Sequence, residues 1–284
     1  KMSTYTNAKA LSKLTLGKVT SYCSQYTPEL LQAVPRSLNR DSLGLTTNKL
    51  PFKGEDVWYG YELSWLNDKG KPVVAVAEFS FPCTSPNIVE SKSFKLYLNS
   101  FNQTKFSSWQ SVESALIEDL SATAGASAEV KLFPVNNCPA LAIALDSALC
   151  IDELDIAVSH YQLAPQILKN INHAQADVVS EYLVCHLLKS NCLITNQPDW
   201  ASVYIEYSGK QICHETLLKY LISFRQHNEF HEQCVERIFC DLKRFCQIEH
   251  LTVFARYTRR GGLDINPFRS TSKTKAPKLR TLRQ

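Results

Sequence analysis

The chain has 284 residues, 44% of them hydrophobic, which is enough for the core of one large domain or two of ordinary size. Its formal net charge of +4 and pI near 8.5 are mildly basic, so they suit an anionic ligand without demanding nucleic acid. No apolar run approaches the roughly 18 residues of a membrane-crossing helix, which excludes a helical span.

The chain opens with a polar, proline-containing stretch through Pro51. Lys1 ahead of Met2 reads as an expression scar, and Ser3 to Ser21 has neither an apolar h-region nor a small-residue cleavage site. The ten cysteines are therefore expected as reduced thiols of a cytoplasmic protein, most of them small buried hydrophobes. Val57 to Trp65 alternates, with Tyr59, Tyr61, Leu63 and Trp65 on one face, and predicts a strand. Asp68, Lys69 and Gly70 make a turn to a partner strand, Val73 to Phe81. A third strand is expected over Ser93 to Leu98, where Phe94, Leu96 and Leu98 point one way. Val112, Leu116 and Leu120 predict a helix over Trp109 to Leu120, ending near Gly125 and followed by an apolar strand, Val130 to Val135.

The order recurs in the second half. Tyr182 to Leu188 reads as a strand, residues 196 to 199 as a turn, and Ser202 to Tyr207 as a further strand. Helices follow over Leu217 to Phe224 and Glu232 to Cys246, then a strand over Leu251 to Tyr257. The predicted organisation is α+β: an N-terminal extension (1–50), a module at 51–136, a connection (137–180), a second module at 181–268, and a basic tail (269–284) expected to be mobile or loosely docked.

Several groups carry chemical potential. Cys192 is expected in a loop between two strands, with Asp199 seven residues on across a proline-containing turn. A thiol and a carboxyl at one mouth suit addition to an electrophile with proton transfer. The same spacing also fits an inert loop cysteine and an aspartate serving its turn. His231 and Glu232 begin a helix, where free N–H groups favour a carboxylate. A carboxylate there also matches the two parallel N–H groups of a guanine-like base, if it points into a pocket. His227 and His231 have a spacing that can hold zinc, but no third ligand accompanies them. Glu90, Ser91, Lys92 and Ser93 to Lys95 alternate like a solvated strand edge. Arg259, Arg260, Gly261 and Gly262 combine charge with close backbone approach to a phosphate. No GxGxxG follows a strand, so any dinucleotide is held outside a Rossmann site.

Together these stretches resemble the long, two-module form of the 7-cyano-7-deazaguanine reductase family of the tunnelling-fold superfamily. The resemblance rests on Val34–Arg40, Tyr61–Trp65, Glu90–Tyr97, Ser190–Thr195, Gln197–Trp200, Phe230–Glu236 and Arg259–Pro267, and covers nearly the whole chain. It implies tandem tunnelling-fold modules, antiparallel sheets with helices packed on one face. It implies reduction of the nitrile of 7-cyano-7-deazaguanine to an aminomethyl group in queuosine biosynthesis, using two NADPH per turnover and no metal. The implied roles are Cys192 as nucleophile and Asp199 as proton donor, with Val89, Glu90, Ser91, His231 and Glu232 at the substrate and Ser91, Lys92, Arg260 and Gly261 at NADPH. The implied partner is a small 7-deazaguanine in a homodimer, without nucleic acid or membrane.

Two other readings are weighed beside it. A pterin-type cyclohydrolase or synthase of the same superfamily also binds a guanine-like ring, but usually needs zinc, for which the ligand spacing is missing. An RNA-binding module would use the basic tail, yet no RNP-like aromatic pair or GxxG loop occurs.

Overall fold

The computed structural model describes residues 21–46, 49–137, 141–143, 147–172, 175–278 and 280–284. All but the last residue of the Ser3 to Ser21 stretch therefore lies outside the described residues. The chain divides into two compact units. One comprises Lys1–Lys49, Asp56–Ala142 and Arg259–Ile265, the other Leu50–Glu55, Ile143–Thr258 and Asn266–Gln284.

The first unit is built from β1 (Ala33–Pro35), α1 (Ser37–Arg40), β2 (Lys53–Leu66), β3 (Pro72–Pro82), β4 (Asn87–Val89), α2 (Ser91–Ser100), α3 (Trp109–Ala124) and β5 (Glu129–Phe133). Its strands β5, β3 and β2 are neighbours in that order, and β3 runs antiparallel to β5 with Phe79 opposite Val130. The strands expected over Val57 to Trp65 and Val73 to Phe81 are observed as β2 and β3, and Asn67 closes their turn by accepting from Lys69 N and Lys71 N at 3.0 Å. Helix α3 begins at a Ser108–Ser111 capping box and ends at Gly125, whose φ of 71° is the left-handed value that glycine tolerates best. It buries Val112, Leu116, Leu120 and Ala124 in a core with Trp58, Trp65, Phe79 and Phe94. Residues 21–46 belong to this unit too: Tyr26 stands edge-on to Phe101 at 5.1 Å, and Arg36 pairs with Asp56 at 2.6 Å, both buried.

The strand expected over Ser93 to Leu98 is corrected to a helix, α2. Phe94, Leu96 and Leu98 satisfy a period of two, but Phe94, Tyr97, Leu98 and Phe101 satisfy the helical period and are the residues whose burial forms the core. Glu90 decides the matter locally. Its two carboxylate oxygens accept from Lys92 N and Ser93 N, at 2.8 Å each, and so cap the first turn. The solvated strand edge expected over Glu90 to Lys95 falls with the strand.

The second unit contains β6 (Leu149–Cys150), β7 (Val178–Asn191), β8 (Pro198–Lys210), α4 (His214–Ile222), α5 (His231–Phe245), β9 (Ile248–Tyr257) and most of β10 (Leu263–Ser270). The order is β10-β9-β8-β7-β6; every pairing is antiparallel except β6, which lies parallel to β7. Val235, Ile238, Phe239 and Leu242 of α5 are buried, and Phe239 meets Phe52 edge-on at 5.3 Å. Strand β10 has no counterpart in the sequence reading. Its Asp264, Asn266 and Arg269 are buried, and Arg269 is neutralised by Glu236 at 2.9 Å.

Two further expectations change. Part of the connection, which carried no assigned role, packs on this unit: Ile151, Ala164, Leu168 and Ile171 are buried, and Cys213 N donates to Ile171 O at 2.8 Å. The basic tail is held against its own unit. Lys273 pairs with Glu206 at 2.6 Å, and Lys275 with Glu55 at 3.1 Å. Gln284 Nε2 donates to Asn266 Oδ1 at 2.6 Å. The α+β class with antiparallel sheets is as expected from the sequence.

Candidate active site

In the second unit, the β7–β8 hairpin places Ser190 opposite Asp199 and Asn191 opposite Pro198, so residues 192–197 form the connecting loop. Cys192 N donates to Gln197 O at 2.8 Å and Asn196 N to Cys192 O at 3.1 Å. Asn196 takes the left-handed φ of 57° that this tight reversal needs and that asparagine tolerates. Cys192 is thus a loop cysteine, as read from the sequence, but only 3% exposed. Asp199 lies in β8 and not in the turn.

A second layer holds this loop from below. Asn191 N donates to His227 O at 2.8 Å and Glu229 N to Asn191 O at 3.1 Å. Glu229 is 1% exposed and is gripped by Arg237 through Nη2 at 2.6 Å and by His227 Nε2 at 2.9 Å. Burial pushes the Glu229 carboxyl up, but the bonds from His227 and Arg237 outweigh it and leave the carboxyl below its usual range.

Helix α5 delivers His231 and Glu232 in its first turn, both buried. His231 Nε2 lies 3.6 Å from Asp199 Oδ1, and its ring stands edge-on to Tyr257 with 4.1 Å between centroids. Burial drives the Tyr257 phenol and the Cys234 thiol beneath it well above their usual ranges, so both stay neutral. Burial and then Arg225 lower the Lys189 ammonium, against the pull of Asp199. Cys192, Asp199, His231 and Glu232 are therefore all buried residues of one unit. His227 and His231 turn to different carboxylates, Glu229 and Asp199, and do not converge on a shared ion.

In the first unit, Val89 ends β4, Glu90 caps α2, and Ser91 and Lys92 are partly exposed at the helix start. Burial raises the Glu90 carboxyl, opposed by its two amide bonds and then by the charges of Lys92 and Arg260. Arg260 therefore bears on the Glu90 stretch, although 170 residues separate the two in sequence (260 − 90). Arg260 and Leu263 exchange backbone bonds of 2.8 and 3.2 Å around Gly261 and Gly262, whose φ values of 62° and 78° suit a mirror-image tight turn. A Cβ on Gly261 would come within 3.0 Å of the Lys95 side chain, and one on Gly262 within 2.5 Å of the Glu62 carboxyl carbon. The Arg259 guanidinium lies 3.5 Å over the Tyr61 ring, and the Tyr61 hydroxyl donates to Asp264. Four cations, Lys92, Lys95, Arg259 and Arg260, and two crowded glycines suit a group rich in phosphate.

Tyr257 and Glu229 did not stand out in the sequence, and Tyr61 stood out only as a strand and motif residue. Tyr257 and Tyr61 act through partners distant in the chain and Glu229 through His227 and Arg237, and an aromatic or an acid among many leaves no local signal.

Two family models match the chain: nitrile reductase, 7-cyano-7-deazaguanine-reductase N-terminal, over residues 22–132, and QueF-like protein, over residues 198–276. The NADPH-dependent 7-cyano-7-deazaguanine reductase of Colwellia psychrerythraea (strain 34H / ATCC BAA-681) is 68% identical over 286 residues, which cover 100% of both chains. Among solved structures, the archaeosine synthase QueF-Like in its apo form is 17% identical, with a TM-score of 0.30, over 34% of this chain and 94% of that one.

Proposed function

The chain belongs to the 7-cyano-7-deazaguanine reductase family, and on that premise we propose a mechanism for this molecule in which Cys192 and Asp199 activate a nitrile and His231 and Glu232 hold its base. The protein is an NADPH-dependent oxidoreductase that converts 7-cyano-7-deazaguanine to 7-aminomethyl-7-deazaguanine in queuosine biosynthesis. The observation that carries the mechanism is the 3.6 Å approach of His231 to Asp199, which sits beside the nucleophile loop on the facing strand.

A nitrile carbon is a weak hydride acceptor until a thiolate adds to it. Cys192 Sγ forms the C–S bond while Asp199 gives its proton to the nitrile nitrogen, leaving a thioimide. NADPH supplies one hydride to each of two reductions. After the first, the C–S bond breaks, the thiolate of Cys192 departs and an imine remains; after the second, the product is the amine. Two protons and two hydrides are consumed per nitrile. The buried setting of Cys192 and Asp199 limits hydrolysis of the imine. Glu232 accepts from the paired N–H groups of the base, and His231 orients Asp199.

Ser91, Lys92, Arg260 and Gly261 hold the cofactor phosphates in this reading, and Val89, Glu90 and Ser91 contribute to the substrate. The crowded glycine turn and its four neighbouring cations support that assignment. The reading also includes a division into modules at 51–136 and 181–268 and a homodimer that binds no nucleic acid. A cytoplasmic location is proposed as well: the nine cysteines among the described residues are free thiols, and no described helix is long and apolar enough to cross a membrane.

The test follows NADPH absorbance after adding 7-cyano-7-deazaguanine to the wild type and to Cys192→Ala, with the product weighed by mass spectrometry. Two NADPH oxidised per substrate, abolished in the variant, is the expected result. Retention of turnover by Cys192→Ala would remove the covalent mechanism.

A further inference from the structure

Cys150, Asp152 and His186 meet in the second unit, with one potential ligand atom from each, all within 4.8 Å of one another. Backbone pairing brings them together. Leu149 and Cys150 lie opposite Leu183 and Val184, and Ile151 N donates to Val184 O at 3.0 Å. Both Asp152 carboxylate oxygens then accept from His186 N, at 3.1 Å each. The register of β7 breaks between Cys185 and Leu188, an irregularity of the kind that re-aims side chains.

The histidine is oriented from behind. Its Nδ1 lies 2.7 Å from Ser202 Oγ. Arg283 Nη2 donates to that hydroxyl at 3.3 Å and to His186 O at 2.8 Å. A ring fixed by one hydroxyl, itself fixed by a charged donor, is the second layer that metal-binding imidazoles commonly have.

The donor set is a thiol, an imidazole and a carboxylate, the mixture that a borderline-soft divalent ion prefers to magnesium or calcium. Among the described residues, no lysine or arginine side chain pairs with Asp152. Besides His186, the titratable groups around it include the Cys150 and Cys185 thiols and Glu153. Burial first, and then the charges of Asp152 and Glu153, raise the Cys150 thiol; burial and then Asp152 raise the neighbouring Cys185. Arg283, the nearby cation, is engaged by the Ser202 hydroxyl and by the carbonyls of His186 and Ala201.

We propose that Cys150, Asp152 and His186 form a zinc site that clips the segment joining the two halves of the sequence onto strand β7. Zinc takes sulfur at about 2.3 Å and nitrogen or oxygen at about 2.0–2.2 Å, so the three donors close in slightly and water completes a tetrahedron. Cys150 is exposed and free to make that movement. On binding, the Cys150 thiol releases its proton to solvent as the S–Zn bond forms, so affinity rises with pH. The site takes no part in nitrile reduction and goes beyond that assignment.

The test uses the full chain carrying Cys192→Ala, which removes the nucleophile as a competing ligand, stripped with a chelator and titrated with Co2+ and then Zn2+. One cobalt per chain with a thiolate-to-cobalt charge-transfer band is expected, displaced by zinc. Adding Cys150→Ser abolishes the band, and Ser202→Ala weakens affinity about 10–100-fold without removing a ligand. Zinc raises the thermal midpoint of the parent and leaves that of the Cys150→Ser chain unmoved; the metal-free midpoints of the two agree, which excludes misfolding. Absence of a retained metal, or a band unchanged by Cys150→Ser, overturns the proposal.

Discussion

His231 Nε2 stands 3.6 Å from Asp199 Oδ1, with Tyr257 against the edge of the imidazole. A helix start and a strand are thereby joined at the group proposed to deliver a proton. Asp199→Asn is expected to lower turnover about 10²–10⁴-fold, the range of a lost general acid, with unchanged thermal stability. His231→Gln keeps a polar group beside Asp199 without the imidazole, and should lower kcat more than it raises KM for the base. A raised KM with kcat intact would assign His231 to substrate binding alone.

The clamp beneath the Cys192 loop predicts an acid dependence of stability. The folded Glu229 carboxyl lies below its ordinary value of 4.5. Its contribution is therefore complete above that value and is lost as pH falls through the lower, folded value. Urea unfolding measured between about pH 6 and 3 should lose this contribution in the wild type and lack it in Glu229→Gln. Glu229→Ala leaves the partly buried Arg237 without its main partner and should cost about 1–3 kcal/mol.

Gly262→Ala tests the turn at the proposed cofactor site. A left-handed alanine costs roughly 1–2 kcal/mol, and its Cβ meets the Glu62 carboxyl at 2.5 Å. The expected outcome is a lower melting temperature together with a raised KM for NADPH. An unchanged KM would separate this turn from the cofactor.

Removing the cap of α2 should act in the same direction. Glu90→Ala frees Lys92 N and Ser93 N, and should cost about 0.5–2 kcal/mol of stability. Because the helix start carries Ser91 and Lys92, NADPH affinity should fall with it, measured by fluorescence quenching in the absence of substrate.

Much of the chain was legible because its signals are local. The alternation of Tyr59, Tyr61, Leu63 and Trp65 marks a strand whatever it pairs with, and Val112, Leu116 and Leu120 before Gly125 mark a helix and its end. The family motifs around Cys192, His231 and Arg260 are local in the same sense. Ser93–Leu98 misled because its apolar residues satisfy two periods at once; only the cap from Glu90 and the aromatic core of the first unit choose between them. The basic tail looked free because its charges have no partner nearby in sequence, whereas Glu206 and Glu55 receive Lys273 and Lys275 from far along the chain.

By itself, then, the sequence determined which segments become strands or helices where one period dominates, and which side chains are candidates for the chemistry of nitrile reduction. The tertiary structure alone decided that Cys192 is buried, that Asp199 faces His231, that Arg260 reaches Glu90, and that β10 tolerates Asp264, Asn266 and Arg269 inside. The reason is physical. A polar group is stable in the interior only when another group satisfies it, and here those partners lie tens to hundreds of residues away, where no local pattern records them.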